Sequence, residues 1–354
     1  MKKINTDNIV NTHVKKMSAY SSARAEYKGK SAIFLDANEN SIGSVTQTIH
    51  NRYPDPLQIK VKEELAKIEL ISIEQIFLGN GSDECIDVLI RCFCESGNDS
   101  IMTFPPVFSM YEHAAHIQNI GVEEILLLPE TFQLDMENIL LKIETKKNLK
   151  IIFICSPNNP SGNLINKEDI ETILNKFDGL VVVDEAYQDF SGNTTWVSKI
   201  NEFENLVVIK TFSKVWGMAD ARIGMLFSNK SIIDYMNIIK MPYNVNQNSQ
   251  NLALEALQNI AKKNNFVVKL NEGKEYLLEE LNQISYIQKV YPSDANFLVI
   301  KTADANHLYN YLTNNHIIVR NRDKAPLMKG CLRISIGTKA ENEQLINILK
   351  KYTN

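Results

Sequence analysis

The sequence predicts an α/β protein with a large three-layer domain around a mostly parallel seven-stranded sheet, followed by a smaller α+β domain. From about residue 59 the chain alternates segments of helical periodicity with short runs rich in β-branched residues, the texture of βαβ units. Residues 151–154 and 181–183 are apolar at every position, as strands covered by helices on both faces require. A length of 354 residues suits two domains, and a hydrophobic fraction of 44% is ample for their cores.

Taken in order, helical spacing predicts a helix over 58–68, and the apolar run after it a strand over 75–78. The pattern then repeats as helix 82–95, strand 100–104, helix 108–117, strand 124–128, helix 136–143 and strand 150–155. Helix 167–175, strands 180–184, 206–210 and 223–227, and helix 232–239 complete the large domain. After the break at Met241-Pro242-Tyr243-Asn244 the texture changes to long helices over 250–263 and 266–283. Strands 297–301, 317–320 and 332–336 and a last helix over 341–352 follow. An early strand over 33–37 is expected to join this second unit. The expected boundaries are an N-terminal arm over 1–28, a large domain over 49–244, and a small domain built from 29–48 with 245–354.

Charge and composition exclude several functions. Lys and Arg number 38 against 42 Asp and Glu, and a net charge of −4 neither draws nor strongly repels nucleic acid. No apolar run approaches the roughly 20 residues of a membrane span. The start, MKKINTDNIV, lacks the apolar stretch of a secretory signal, so a cytoplasmic protein is expected. Cys85, Cys92, Cys94, Cys155 and Cys331 are odd in number and lack paired zinc or redox spacing. They read as buried apolar side chains in a reducing compartment.

The common catalytic signatures are missing. There is no H-E-x-x-H, no G-x-S-x-G and no P-loop. GNGSDE at 79–84 follows a strand and opens a helix, but Glu84 stands where a dinucleotide fingerprint needs glycine. His113 and His116 read as a helix face, and no metal is expected. What remains is a set of polar residues at the carboxyl ends of candidate strands, where open α/β sheets bind ligands. Asp184 ends an apolar strand, Asn159 sits in SPNNPSG after another, Lys214 follows a third within TFSK, and Arg222 opens the next. Singly, each also reads as a cap, a turn residue or a solvated charge.

Together, SPNNPSGN, VVVDEAY and TFSKVWGMADARIG resemble, in order and spacing, the pyridoxal-phosphate aminotransferases of the aspartate aminotransferase fold, fold type I of the pyridoxal-phosphate transferases. Within that superfamily YSSAR, LDANEN, RYPDP, IIVRNRDK and GCLRISIGT resemble the histidinol-phosphate aminotransferases. The resemblance implies pyridoxal 5′-phosphate as cofactor, held on Lys214 as a Schiff base, with the same amine moving the proton once freed. Asp184 would pair with the pyridine N–H and keep the ring protonated. Tyr187 and Asn159 would hydrogen-bond its phenolic oxygen.

For the phosphate, the Ser82 and Asp83 backbone N–H groups lie at a helix N-terminus, which favours anions. Thr211, Ser213 and Arg222 would complete the cup. The Asp83 side chain is expected to cap the helix or turn away. Phe108 stands where the family carries a tyrosine, so it keeps the stacking face and loses the hydroxyl; Tyr111 nearby is placed to compensate for that hydroxyl, although its helical spacing reads as core. By resemblance Tyr53 reaches the phosphate of the neighbouring subunit, which implies a homodimer with shared active sites.

On the substrate side, strand alternation puts Leu332, Ile334 and Ile336 on one face and Arg333 with Ser335 on the other. Arg333 offers a guanidinium fork for carboxylate or phosphate. Arg320 is the second such cation, with Arg322 able to take its place, and Tyr20 and Asn38 complete the expected contacts. The implied reaction converts L-histidinol phosphate and 2-oxoglutarate to imidazole-acetol phosphate and L-glutamate, in histidine biosynthesis. The alternatives are an aromatic or broad-range aminotransferase, a threonine-phosphate decarboxylase, or a non-catalytic regulatory relative.

Overall fold

The structure, a computed structural model, describes residues 2–19 and 33–352. The first sheet takes β1 (Ile76–Asn80), β2 (Ser100–Thr103), β3 (Gly121–Glu124), β4 (Leu149–Cys155), β5 (Leu180–Asp184), β6 (Leu206–Thr211) and β7 (Ile223–Ser228). Their spatial order is β1-β7-β6-β5-β4-β2-β3. Strands β3, β2, β4, β5 and β6 run parallel, and β7 lies antiparallel to both β6 and β1.

After a short N-terminal turn α1 (Thr6–Ile9), the helices of this part are α2 (Ile59–Glu69), α3 (Ser82–Phe93), α4 (Met110–Ile117), α5 (Met136–Thr145), α6 (Lys167–Lys176) and α7 (Lys230–Ile239). They cover both faces of the sheet, and strand alternation shows it directly. Val181 and Val183 enter one apolar cluster with Ile152, Ile154 and Val208; Leu180 and Val182 enter another with Ile151, Phe153 and Val207. All five residues of β5 are buried, which explains why its sequence shows no polar alternation.

Beyond α8 (Gln247–Leu257) and the long α9 (Ile260–Asn282), a second sheet forms from β8 (Ile287–Tyr291), β9 (Phe297–Thr302), β10 (Arg320–Asn321) and β11 (Cys331–Ser335). Its order is β10-β11-β9-β8, antiparallel throughout. Leu298, Ile300, Leu332 and Ile334 pack with residues of α9, α10 (Ala305–Asn314) and α11 (Lys339–Leu349) on one face. Of the alternate residues, Val299 on β9 and Cys331 on β11 join the cluster shared with the first sheet, and Phe297 on β9 packs with Tyr187, Phe190 and Val215 from the loops beyond β5 and β6.

Several expectations need correction. Residues 33–37 form no strand: Ile33 is 89% and Leu35 80% exposed, and the segment pairs with neither sheet. Its alternating apolar residues mark an exposed surface, so 33–48 does not enter the small sheet. The strand expected over 124–128 is hydrogen-bonded as β3 over Gly121–Glu124. Ile125 and Leu127 still donate to Thr103 O and Pro105 O at 3.1 and 2.9 Å, but β2 has already given way to the Pro105-Pro106 turn. The long helices divide at Gln258–Asn259 rather than near 264, and Ile287–Tyr291 is a strand that the sequence pattern did not reveal, because only Tyr291 in it is buried. Between β10 and β11 only Arg320 and Asn321 pair, so most of the strand expected over 317–320 is coil.

Candidate active site

The carboxyl ends of β4, β5 and β6 and the amino end of β7 open on a cavity of about 420 Å³. It is lined by Ser82, Asp83, Phe108, Asn159, Asp184, Tyr187, Thr211, Ser213, Lys214 and Arg222, together with Arg320, Arg322 and Arg333 from the second sheet. The residues from Ser82 to Arg222 converge because the strands of the first sheet deliver their connecting loops to one edge, and the second sheet brings its arginines to that edge.

Asp184 closes β5 and is 3% exposed. Burial pushes its carboxyl above the usual aspartate range, opposed by hydrogen bonds from Tyr111 and the Ala186 N–H and by the charge of Lys214. The Tyr111 hydroxyl donates to Asp184 Oδ2 at 2.6 Å, and Ala186 N to Oδ1 at 3.0 Å. Tyr111 is fully buried and stacked on Phe153 with ring centroids 4.7 Å apart. The helical spacing placed it in the core, as it is; the hydroxyl role left open for it falls on Asp184, a partner the spacing did not point to.

Lys214 follows β6, and its Nζ lies 5.5 Å from the Tyr187 ring centroid. Loss of hydration first, then the charge of Arg333, lowers its pKa below that of an ordinary lysine; Asp184 and Asp83 oppose the shift. Tyr187 packs edge-on against Phe297 at 5.2 Å, and burial raises its phenol pKa. Arg333 Nη1 donates to Asn159 Oδ1, tying the two sheets together across the cavity. With Oδ1 so engaged, Asn159 Nδ2 is left without a partner among the described residues and can donate into the cavity.

Helix α3 begins at the cavity with Gly81 as N-cap at φ +83°, so no side chain covers the first-turn N–H groups of Ser82 and Asp83. Arg222, itself at φ +51°, packs beneath Gly81. Its Nη2 donates to Asp83 Oδ2 at 3.0 Å. The Asp83 side chain therefore neither caps the helix nor turns away; it holds Arg222. Thr211 Oγ1 accepts from Ser213 N at 3.1 Å, shaping the loop into Lys214. Phe108 lines the cavity with its ring edge-on to Tyr111 at 5.6 Å.

Two expected residues lie elsewhere. Tyr53 and Asn38 line a separate cavity of about 660 Å³, where Tyr53 is half-exposed and stacks on Tyr243 with centroids 4.4 Å apart. Tyr20 lies outside the described residues. Arg322, expected only as a stand-in for Arg320, lines the central cavity beside Arg320 and Arg333, and Ser109, Cys155, Ala186 and Ala219 line it without having been singled out. Among the described residues, no cluster of three or more His, Cys, Asp or Glu could hold a metal ion, and no helix is long and apolar enough to cross a membrane.

A lysine, a buried carboxylate and an uncapped helix start meet at the strand ends of this sheet, and the model of the family "Aminotransferase class I and II" matches residues 26–349. The chain belongs to that family. It is 48% identical to a histidinol-phosphate aminotransferase of Cytophaga hutchinsonii over 98% of this chain and 99% of that protein. It is 45% identical to the enzyme of the same name from Bacteroides thetaiotaomicron, over 95% and 96% of the two chains. The crystal structure of the histidinol-phosphate aminotransferase from Clostridium acetobutylicum is similar at a TM-score of 0.77 and 25% identity, covering 84% of this chain and 90% of that one.

The family implies pyridoxal phosphate, and the donor set suits it. Asp184 is a buried carboxylate with no cation in hydrogen-bonding reach among the described residues, positioned for a ring N–H⁺. Asn159 Nδ2 and the Tyr187 hydroxyl can serve a phenolic oxygen. The open end of α3 with Arg222, Thr211 and Ser213 suits a phosphate dianion.

Proposed function

We propose that the protein transfers the amino group of L-histidinol phosphate to 2-oxoglutarate, yielding imidazole-acetol phosphate and L-glutamate in histidine biosynthesis. The observation that carries this reading is the presence of Arg320 and Arg333 in the cavity that holds Lys214 and Asp184. Both substrates bring an acidic group beside the reacting carbon, and a guanidinium fork binds either a carboxylate or a phosphate.

When bound, pyridoxal phosphate supplies the ring that accepts the electron pair released at the substrate's Cα. Lys214 anchors the cofactor, and its lowered pKa leaves more of the amine unprotonated to take and return a proton at Cα. With the cofactor bound, Asp184 would hold the proton on the ring nitrogen. Tyr187 and Asn159 would donate to the phenolic oxygen, and Phe108 would lie against the ring. Ser82, Asp83, Thr211, Ser213 and Arg222 would hold the phosphate, with the two residues of α3 acting through their backbone N–H groups. Arg320 and Arg333, with Tyr20, orient the substrate.

The proposed assembly is a homodimer in which Tyr53 serves the partner's site. Ile33, Leu35, Ile42, Val45 and Ile49 are all more than 70% exposed within one short stretch of chain, and Ile49 lines the outer cavity that holds Tyr53 and Asn38; this many exposed large apolar side chains suits a protein contact. Large and small units divided near residue 245, each around its own sheet, are the proposed domains. The five cysteines are free and buried, which suits the reducing cytoplasm proposed as its location.

The test is kcat/KM for histidinol phosphate compared with phenylalanine and with phosphothreonine. Preference for histidinol phosphate is expected; preference for either rival substrate, or release of carbon dioxide from phosphothreonine, overturns the reading.

A further inference from the structure

In the register of β10 and β11, Arg320 stands directly opposite Arg333. Directly opposed residues of an antiparallel pair share a face, and like charges there are destabilising. Alternation returns Arg322 to that same face, and its N–H continues the pairing by donating to Cys331 O at 3.0 Å. Three guanidiniums therefore line one wall of the cavity.

Nothing within the described chain neutralises them. Burial, then the charges of Arg333 and Arg320, holds the Arg322 pKa down to about 10, and the one favourable neighbour is the phenol of Tyr187. The Nε atoms of Arg322 and Arg333 are buried without a hydrogen-bond partner. Buried donors without acceptors and opposed like charges both weaken a fold, so this arrangement fits a wall that an anion completes.

The two proposed amino donors differ in charge at that wall. Glutamate brings a singly charged α-carboxylate to it, its second carboxylate lying at the far end of the side chain; histidinol phosphate carries a phosphomonoester one carbon from Cα, with a charge near −2 at pH 7 because its second ionisation falls at about 6. Two guanidiniums suffice for a monoanion. Resting on the function proposed above, we infer that Arg322 is a specificity-determining residue: its guanidinium joins Arg320 and Arg333 in binding the phosphate as the dianion, and a carboxylate has little use for it.

The experiment follows the two half-reactions separately on the cofactor-loaded enzyme and its Arg322→Gln and Arg322→Lys variants, by the absorbance change of the bound cofactor. Arg322→Gln is expected to lower kcat/KM for histidinol phosphate by about 10- to 100-fold, the span of one charge-assisted bond. The glutamate half-reaction should fall at least tenfold less. Wild-type kcat/KM for histidinol phosphate should climb as pH passes about 6, where the dianion forms, and this rise should flatten in Arg322→Gln. Arg322→Lys, which keeps the charge and loses the fork, should fall between. Substrate-free Arg322→Gln should melt no lower than wild type, since a like charge has been removed.

Equal losses in both half-reactions, or an unchanged pH profile, overturn the inference. If the wild type does not turn over histidinol phosphate, the proposed function fails by itself. The Arg322 inference is then decided with inorganic phosphate and acetate as inhibitors of the glutamate half-reaction: Arg322→Gln must weaken inhibition by phosphate more than by acetate, and equal weakening refutes it.

Discussion

Tyr111 donates a 2.6 Å hydrogen bond to Asp184 Oδ2 from a side chain with no solvent exposure. A helix that is otherwise core thereby reaches the carboxylate at the head of β5. Because the bond favours the charged form, it opposes the upward shift that burial imposes on Asp184. Tyr111→Phe keeps the ring stacked on Phe153 and removes only this donor. We expect kcat to fall about tenfold, corresponding to ~1.5 kcal/mol for a bond to a charged acceptor. The acid limb of the kcat–pH profile should move to higher pH, since Asp184 must be ionised and its pKa rises further. A profile superimposable on wild type would show that Tyr111 only packs.

Asp184 also bears on stability. Its folded pKa lies above the unfolded value of about 3.9. Below both values the carboxyl is protonated in either state and its burial as an ion costs nothing. As pH rises from the unfolded pKa through the folded one, the unfolded chain releases its proton first and the cofactor-free fold loses stability. Asp184→Asn should flatten this decline and leave the cofactor-free protein at least as stable as wild type at pH 7, with turnover abolished. Denaturation midpoints between pH 4 and 8 provide the check, and a variant clearly less stable than wild type at pH 7 would contradict it.

Gly224 lies on β7 between Gly79 of β1 and Thr211 of β6. A Cβ there would stand 2.3 Å from Gly81 C and from Ser82 N, backbone atoms at the phosphate-facing start of α3. Gly224→Ala therefore has to displace that turn, at a cost of about 1–3 kcal/mol in stability, the usual range for overpacking. Cofactor affinity should weaken as well, because the displaced N–H groups are those proposed to hold the phosphate. Fluorescence titration of the cofactor-free protein measures it; unaltered affinity would remove α3 from the phosphate cup.

Tyr53 offers a test of shared sites. If it serves the partner's phosphate, Tyr53→Phe should weaken cofactor retention by about 0.5–3 kcal/mol, the range for one hydrogen bond from neutral to charge-assisted. Dimerisation should be unaffected. Mixing Tyr53→Phe chains with inactive Lys214→Ala chains should then regenerate up to one intact site per heterodimer, because the two lesions fall in the same site. If Tyr53 acts within its own chain, where it stacks on Tyr243, every site retains a lesion and mixing restores nothing.

The apolar runs of β4, β5 and β6 and the polar residues at their ends announced a parallel sheet with a ligand edge. Asp184, Lys214, Asn159 and Arg222 could be picked out because parallel strands buried on both faces have a distinctive composition, and their C-terminal ends share one edge. The same local logic put Arg333 on the face opposite Leu332 and Ile334, where the structure has it. These are properties of short stretches of chain, set by side-chain period and burial, so the sequence by itself determined them. Contacts between distant stretches were decided by tertiary structure alone. Tyr111 is 73 positions from Asp184, Arg222 is 139 from Asp83, and Arg333 is 174 from Asn159. No periodicity encodes such pairings; they depend on how helices seat on the sheet and how the second sheet faces the first. The segment 33–37 shows the converse. Its alternating Ile33 and Leu35 satisfy the strand pattern, yet they stand exposed, because alternation specifies which side chains share a face and not what that face will meet.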